Sequence, residues 1–217
     1  MSPSSPFAPW PTLGRNLVAI LRGVRPDEID AIADALTDAG FEAIEVPLNS
    51  PDALASVARL VARSPKGVLV GAGTVITREE VEAVAGVGGR LIVSPNVDEA
   101  VVRTAAKLGL VTMPGVFTPT EAFEALRYGA SALKFFPASV LGPRGIGAVR
   151  AVLPEGTVMG AVGGITEADF APLMAVGVSA FGLGTSLYRP GDAAGEVAIR
   201  ARAAVAAYDA ANGRRAA

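Results

Sequence analysis

The sequence predicts an α/β protein built as a (β/α)8 TIM barrel, on three observations. Short β-branched, apolar runs recur eight times, starting roughly every 20 to 26 residues. Stretches carrying helix start signals separate them. Most of the runs are nearly continuously apolar, as strands buried on both faces are. Eight βα units closing on one another is the arithmetic of that barrel, although 217 residues is short for the class. A doubly wound open sheet is the alternative. Its dinucleotide fingerprint should follow the first strand, and Arg22-Gly23-Val24-Arg25 there contains no G-x-G-x-x-G.

Residues 1–16 hold four of the chain's 16 prolines and are expected to form an arm or short helix over the barrel floor, with one barrel domain over 17–217. Strands are expected at 17–22, 43–47, 68–72, 91–94, 110–113, 132–136, 157–161 and 179–182. After the first strand, Pro26 with Asp27 and Glu28 opens a helix whose Ile29, Ile32, Ala33 and Leu36 share one face. After the second, Ser50-Pro51 opens a helix with Leu54, Val57 and Val61 aligned. Thr77 with Glu80, Thr118 with Glu121 and Thr166 with Asp169 have the spacing of an N-cap and its N3 partner. An Ala-rich helix over 192–211 closes the chain.

Composition narrows the function. With 51% hydrophobic and 18% charged residues the chain is too apolar to be disordered, and a net charge of -2 speaks against nucleic acid or an anionic membrane as partner. No apolar run approaches the ~18 residues of a membrane span. The first residues lack the charged and apolar regions of a signal peptide, so a cytoplasmic location is expected. There is no Cys and no His, which excludes a disulfide, a thiolate nucleophile, a Ser-His-Asp triad and a histidine metal site. Proton transfer must fall to Glu, Asp, Lys, Tyr, water or the substrate. No Asp-rich loop offers oxygen ligands, so neither metal nor cofactor is expected.

In such a barrel chemistry gathers at the C-terminal ends of the strands. Of three lysines, Lys66 lies on the floor side, Lys107 near a helix end, and Lys134 inside the sixth strand. An ammonium buried there without a purpose would be costly; a structural ion pair is the alternative to catalysis. Nearly all carboxylates fall in helices or their first turns, but Glu45 lies in the second strand, in alternation with Ala43 and opposite to Ile44 and Val46, so it is expected to point inward. Glu42, at the start of that strand, is expected to be structural. Arg22 closes the first strand and Thr74 follows the third. Gly163-Gly164 after the seventh strand, with Val162 before them, and Gly184-Thr185-Ser186 after the eighth leave the backbone free to approach an anion.

A buried lysine beside a glutamate suits Schiff-base chemistry. Lys134 must be neutral to attack a ketone; burial and Arg22 favour that, and Glu45 opposes it. The protonated imine then serves as an electron sink, and Glu45 can move protons. Arg22 and Thr74 can hold one anionic end of a substrate, the glycine loops the other.

The motifs Ala19-Ile20-Leu21-Arg22, Glu45-Val46-Pro47-Leu48-Asn49-Ser50-Pro51, Gly71-Ala72-Gly73-Thr74, Ser94-Pro95-Asn96, Pro114-Gly115-Val116-Phe117-Thr118-Pro119-Thr120-Glu121, Leu133-Lys134-Phe135-Phe136-Pro137 and Gly163-Gly164-Ile165 resemble the class I 2-keto-3-deoxy-6-phosphosugar-acid aldolases, over about residues 15–190. The resemblance implies a homotrimer of barrels that cleaves a phosphorylated keto-deoxy sugar acid to pyruvate and glyceraldehyde 3-phosphate. It implies Lys134 as the Schiff-base residue and Glu45 as the acid/base. It implies Arg22, Thr74, Gly164, Gly184 and Thr185 as substrate contacts, with Gly163 and Ser186 beside them. The gluconate branch of the family usually carries Arg four residues after the Glu and Thr before the Gly-Gly. Asn49 and Val162 stand there, and they are similar to the galactonate branch. Val162 is therefore expected to lie against the substrate. The gluconate or a dual specificity, a phosphosugar epimerase or synthase of the same shape, and a non-catalytic phosphosugar-binding barrel are the rival readings.

Overall fold

A computed structural model describes residues 7–213. Nine parallel strands alternate with helices: β1 (Leu17–Ile20), β2 (Ala43–Pro47), β3 (Leu69–Gly73), β4 (Leu91–Val93), β5 (Val111–Met113), β6 (Gly115–Val116), β7 (Leu133–Phe135), β8 (Met159–Val162) and β9 (Ala180–Leu183). Their order in the sheet is β5-β4-β3-β2-β1-β9-β8-β7-β6. Its two edges, β5 and β6, are halves of a single fifth strand interrupted at Pro114, which has no N–H to give a ladder. β5 pairs with β4 and β6 with β7. The Ala132 N–H donates to the Thr112 carbonyl (3.1 Å) and the Lys134 N–H to that of Pro114 (2.9 Å), which closes the barrel. Eight strand positions were expected, and eight are present with one split.

The helices are α1 (Ile29–Ala39), α2 (Ala53–Arg63), α3 (Arg78–Gly86), α4 (Glu99–Lys107), α5 (Pro119–Tyr128), α6 (Ala138–Arg150), α7 (Phe170–Ala175) and α8 (Ala194–Ala211). Thr77 and Thr118 form capping boxes with Glu80 and Glu121. Asp169 accepts from the Thr166 N–H (2.7 Å), but the pair caps a single 3-10 turn ahead of α7. Two helices start later than expected. Glu28 folds back on the Arg25 N–H (3.2 Å), so 25–28 is a separate turn before α1. The Ser50 hydroxyl is engaged by the Gly23 N–H (2.8 Å), and Asp52, in the left-handed region (φ 43), leads into α2 instead. Gly142 and Pro143 kink α6.

Strand alternation sorts the core into two shells. Ile44, Val46, Phe135 and Phe181 face the helices, where Phe170, Phe181 and Tyr208 stack with centroids 4.6 to 6.3 Å apart. Val18, Ile20, Ala43, Leu91, Val93, Met113, Ala132, Val162 and Ala180 fill the barrel. Residues 7–16 form no helix. Trp10 and Leu13 pack against this inner cluster from below, Ser131 donates to the Ala8 carbonyl (2.6 Å), and Arg15 makes a bidentate ion pair with Asp209 of α8 (2.8 and 2.7 Å). Glu42 accepts from the Gly14 N–H (2.6 Å), a structural tie at the floor. Residues 1–6 of the expected arm lie outside the described residues.

Candidate active site

Lys134 is central in β7 and points into the barrel. Its in-register neighbours are both glycine, Gly115 on β6 and Gly160 on β8, and the end of the Met113 side chain fills the place a Cβ of Gly160 would take. Glu45 sits in the inner shell of β2, in register with Ile20 of β1 and Gly71 of β3. β2 and β7 lie on opposite sides of the barrel, so the two groups face each other across the lumen, close enough for each to feel the other's charge. Glu45 is 3% exposed and Lys134 6%, so neither is dissolved in bulk water. Burial raises the Glu45 carboxyl to about 7, against the charges of Lys134 and Arg22 and the Gly73 N–H. Burial likewise lowers the Lys134 amine to about 8, with Glu45 opposing and Arg22 assisting. Glu45 Oε2 is buried with no hydrogen-bond partner among the described residues.

Arg22 follows β1 at the mouth. It donates to Asn49 Oδ1 and, at 3.3 Å, to Thr74 Oγ1. Thr74 is one of two non-glycine residues with positive φ (+56) among the described residues, a strained backbone at the rim of the site. Beside Arg22 opens a cavity of about 290 Å³ lined by Val162, Gly163, Gly164, Gly184, Thr185 and Ser186, with Ile20 and Phe136 at its wall. Lys134, Glu45 and Thr74 are not part of that wall: Lys134 and Glu45 are buried within the barrel, and Thr74 joins the site through Arg22. The N–H groups of Gly164, Ile165, Thr185 and Ser186 donate no hydrogen bond among the described residues, and the Ser186 hydroxyl is buried without a partner. Converging free donors on two adjacent loops make a cradle for an anion. Among the described residues no cluster of three Asp or Glu is placed to hold a metal.

A buried amine and a buried acid within the barrel, with an anion cradle at its mouth, are the parts of a carbonyl-addition site. The KDPG and KHG aldolase family model matches residues 13–205. The chain belongs to the KDPG and KHG aldolase family. A probable 2-dehydro-3-deoxy-6-phosphogalactonate aldolase of Rhizobium meliloti is 58% identical over 94% of this chain and 97% of that protein. The 2-dehydro-3-deoxy-6-phosphogalactonate aldolase of Escherichia coli is 46% identical over 88% and 94%. A solved structure described as native KDPGal superposes with a TM-score of 0.92 at 45% identity, over 94% of this chain and 99% of that one.

Three features of this family member escaped the sequence reading. Gly73 is dictated by Glu45: a Cβ there would stand 2.2 Å from Oε2. Gly182 makes room for Val162, whose Cγ2 would be 2.7 Å from an added Cβ. Glycine inside a strand marks such close approaches, so the signal was present, but it does not say which neighbour approaches. Asn49, read only as the absence of an arginine, is the acceptor that orients Arg22.

Proposed function

We propose that this aldolase cleaves 2-dehydro-3-deoxy-6-phosphogalactonate to pyruvate and glyceraldehyde 3-phosphate through a Schiff base on Lys134. The observation that carries the mechanism is the buried pairing of Lys134 with Glu45. One proton shared by the pair suffices. With the proton on Glu45, the neutral amine adds to the C2 ketone. Glu45 gives its proton to the departing hydroxyl, water leaves, and a cationic iminium remains. The Glu45 carboxylate then takes the proton of the C4 hydroxyl, the C3–C4 bond breaks, and its electron pair flows to the iminium nitrogen. Glyceraldehyde 3-phosphate leaves, and Glu45 returns its proton to C3 of the enamine. Water adds to the pyruvate iminium, Glu45 again handling the proton, and pyruvate departs with the neutral amine restored. Arg22, steadied by Asn49 and Thr74, holds the carboxylate. The phosphate occupies the cradle of Gly163, Gly164, Gly184, Thr185 and Ser186.

Gly184→Val tests the cradle. Nothing lies within 4 Å of a Cβ at Gly184, so the added side chain occupies the cavity rather than the protein. kcat/KM for the phosphorylated substrate is expected to fall about tenfold or more, and for the unphosphorylated sugar acid by much less. Equal losses would remove the phosphate from this loop. Gly164→Val is a poorer test, because Gly164 has φ +70 and a Cβ there would meet Ser139 Oγ at 2.5 Å, disturbing the loop itself.

The galactonate preference rests on the names of the close relatives and on Val162, which cannot hydrogen-bond a sugar hydroxyl. An apolar replacement discriminates by only ~1–3 kcal/mol. Cleavage of the two C4 epimers, measured side by side, is therefore expected to favour galactonate by roughly 10- to 200-fold with gluconate still turned over. Val162→Thr is expected to move the ratio toward gluconate. Asn49→Arg removes the acceptor of Arg22 as well, so its effect on the ratio must be read against KM. A wild-type ratio favouring gluconate would overturn the branch assignment.

The reading includes a homotrimer in the cytoplasm. Exposed Phe117, Phe123 and Val140 supply apolar surface for contacts between copies, and sedimentation of the native protein tests the trimer. Among the described residues no helix is long and apolar enough to cross a membrane.

A further inference from the structure

Lys134 and Phe136 stand two residues apart on β7 and its continuation, so both side chains turn toward the lumen. The Lys134 Nζ sits over the Phe136 ring, 4.8 Å from its centroid. That is inside the ~6 Å within which a cation is drawn to an aromatic face. Among the described residues the amine makes no hydrogen bond and no ion pair, so the ring face lies against it while Glu45 acts on it only at longer range. The ring is held in place from another side by Gly163. A Cβ at that position would stand 2.9 Å from Phe136 Cδ2 and 3.3 Å from Pro137 Cα. Gly163 thus has a second task beside the cradle, that of leaving room for the ring. Phe136 also forms part of the cavity wall, so its ring stands between the cavity beside the cradle and Lys134 Nζ.

Building on the Schiff-base reading above, we propose that Phe136 is a catalytic residue whose ring face stabilises the positive charge on Lys134 Nζ as the iminium forms. The nitrogen is neutral when it attacks and cationic once water has left. It is neutral again when the C3–C4 electron pair has reached it. Glu45 is a carboxylate while the nitrogen is cationic, but among the described residues it makes no ion pair with Lys134, and it must stay free to take the C4 proton. The negative face of an aromatic ring does not titrate. It is available in a desolvated site, where a cation–π contact is strongest. The ring therefore favours iminium formation without competing for the protons that Glu45 must move.

Site-specific replacement of Phe136 by mono-, di- and trifluorinated phenylalanine tests this. Fluorine withdraws electron density from the ring face while nearly preserving its shape. The readouts are the rate of covalent trapping of pyruvate on Lys134 by borohydride and kcat/KM for cleavage. Both are expected to fall stepwise with fluorination, by about tenfold across the series. Phe136→Leu is expected to lie at or below the end of that series. A flat fluorinated series, with Phe136→Leu still impaired, would overturn the proposal and leave Phe136 as packing. Failure of the unmodified enzyme to form any pyruvate adduct at Lys134 would instead overturn the Schiff-base reading on which this one depends.

Discussion

Lys134→Ala is expected to abolish cleavage, by roughly 10⁴-fold or more, the scale on which enzymes lose rate with their covalent nucleophile, while the barrel remains folded. The stability argument runs through burial. An ammonium in the lumen is costly to desolvate, and the barrel gains little by holding one. Removing it leaves Glu45 without its opposing charge, but that carboxyl is already raised by burial and answers by keeping its proton. Met113, whose side chain already lies over Gly160 beside Lys134, is unbranched and can adjust to the vacated space. The variant should therefore melt cooperatively near the wild-type temperature. Mass spectrometry after borohydride reduction with pyruvate should find the wild-type adduct on Lys134 and none in the variant. Lys66 and Lys107 are exposed and far from the mouth, in a turn before β3 and at the end of α4. An adduct on either, or normal turnover by the variant, would end the assignment.

How much of this was legible beforehand depends on whether a feature is local. Strand alternation is local, so Glu45 could be turned inward from the company of Ala43, Ile44 and Val46 alone, and the inner cluster agrees. Helix caps are local, and the Thr77 and Thr118 boxes form as their spacing predicts. Contacts across the lumen are not local, because they depend on the stagger between strands. That Phe136 faces Lys134 could be read from the period of two, but that Gly163 seats its ring, or that Asn49 reaches Arg22, follows only from the register of β8 and β2 against their neighbours. The split fifth strand shows the same limit. Pro114 is visible in the sequence as a residue unable to donate, yet a run ending at Met113 gives no hint that Gly115–Val116 resumes pairing on the other side.

Glu45→Gln is the second large effect, a loss of roughly 100-fold or more in turnover, within the range for removing a general acid/base. Glutamine keeps the size and an acceptor oxygen but carries no proton to give. Carbinolamine dehydration, C4 deprotonation and enamine protonation should all slow, and exchange of the pyruvate methyl protons with solvent should fall in parallel. If exchange continued at the wild-type rate, water or substrate would be moving the protons, and Glu45 would only orient them. The pH profile separates the roles further. In the wild type the working state holds one proton on the pair. Below about 7 the pair holds two protons, an ammonium beside a carboxylic acid with no neutral amine left to attack, and above about 8 the last proton is lost and none remains for dehydration. kcat/KM should follow a bell whose limbs belong to the pair rather than to either residue. In Glu45→Gln the alkaline limb should disappear, since no carboxyl is left to deprotonate. The acid limb should stay near its wild-type position, because on that limb Glu45 already holds its proton and offers the Lys134 ammonium no more counter-charge than a glutamine does. An unchanged bell in the variant would place the titrating acid elsewhere and leave Glu45 without its proton-transfer role.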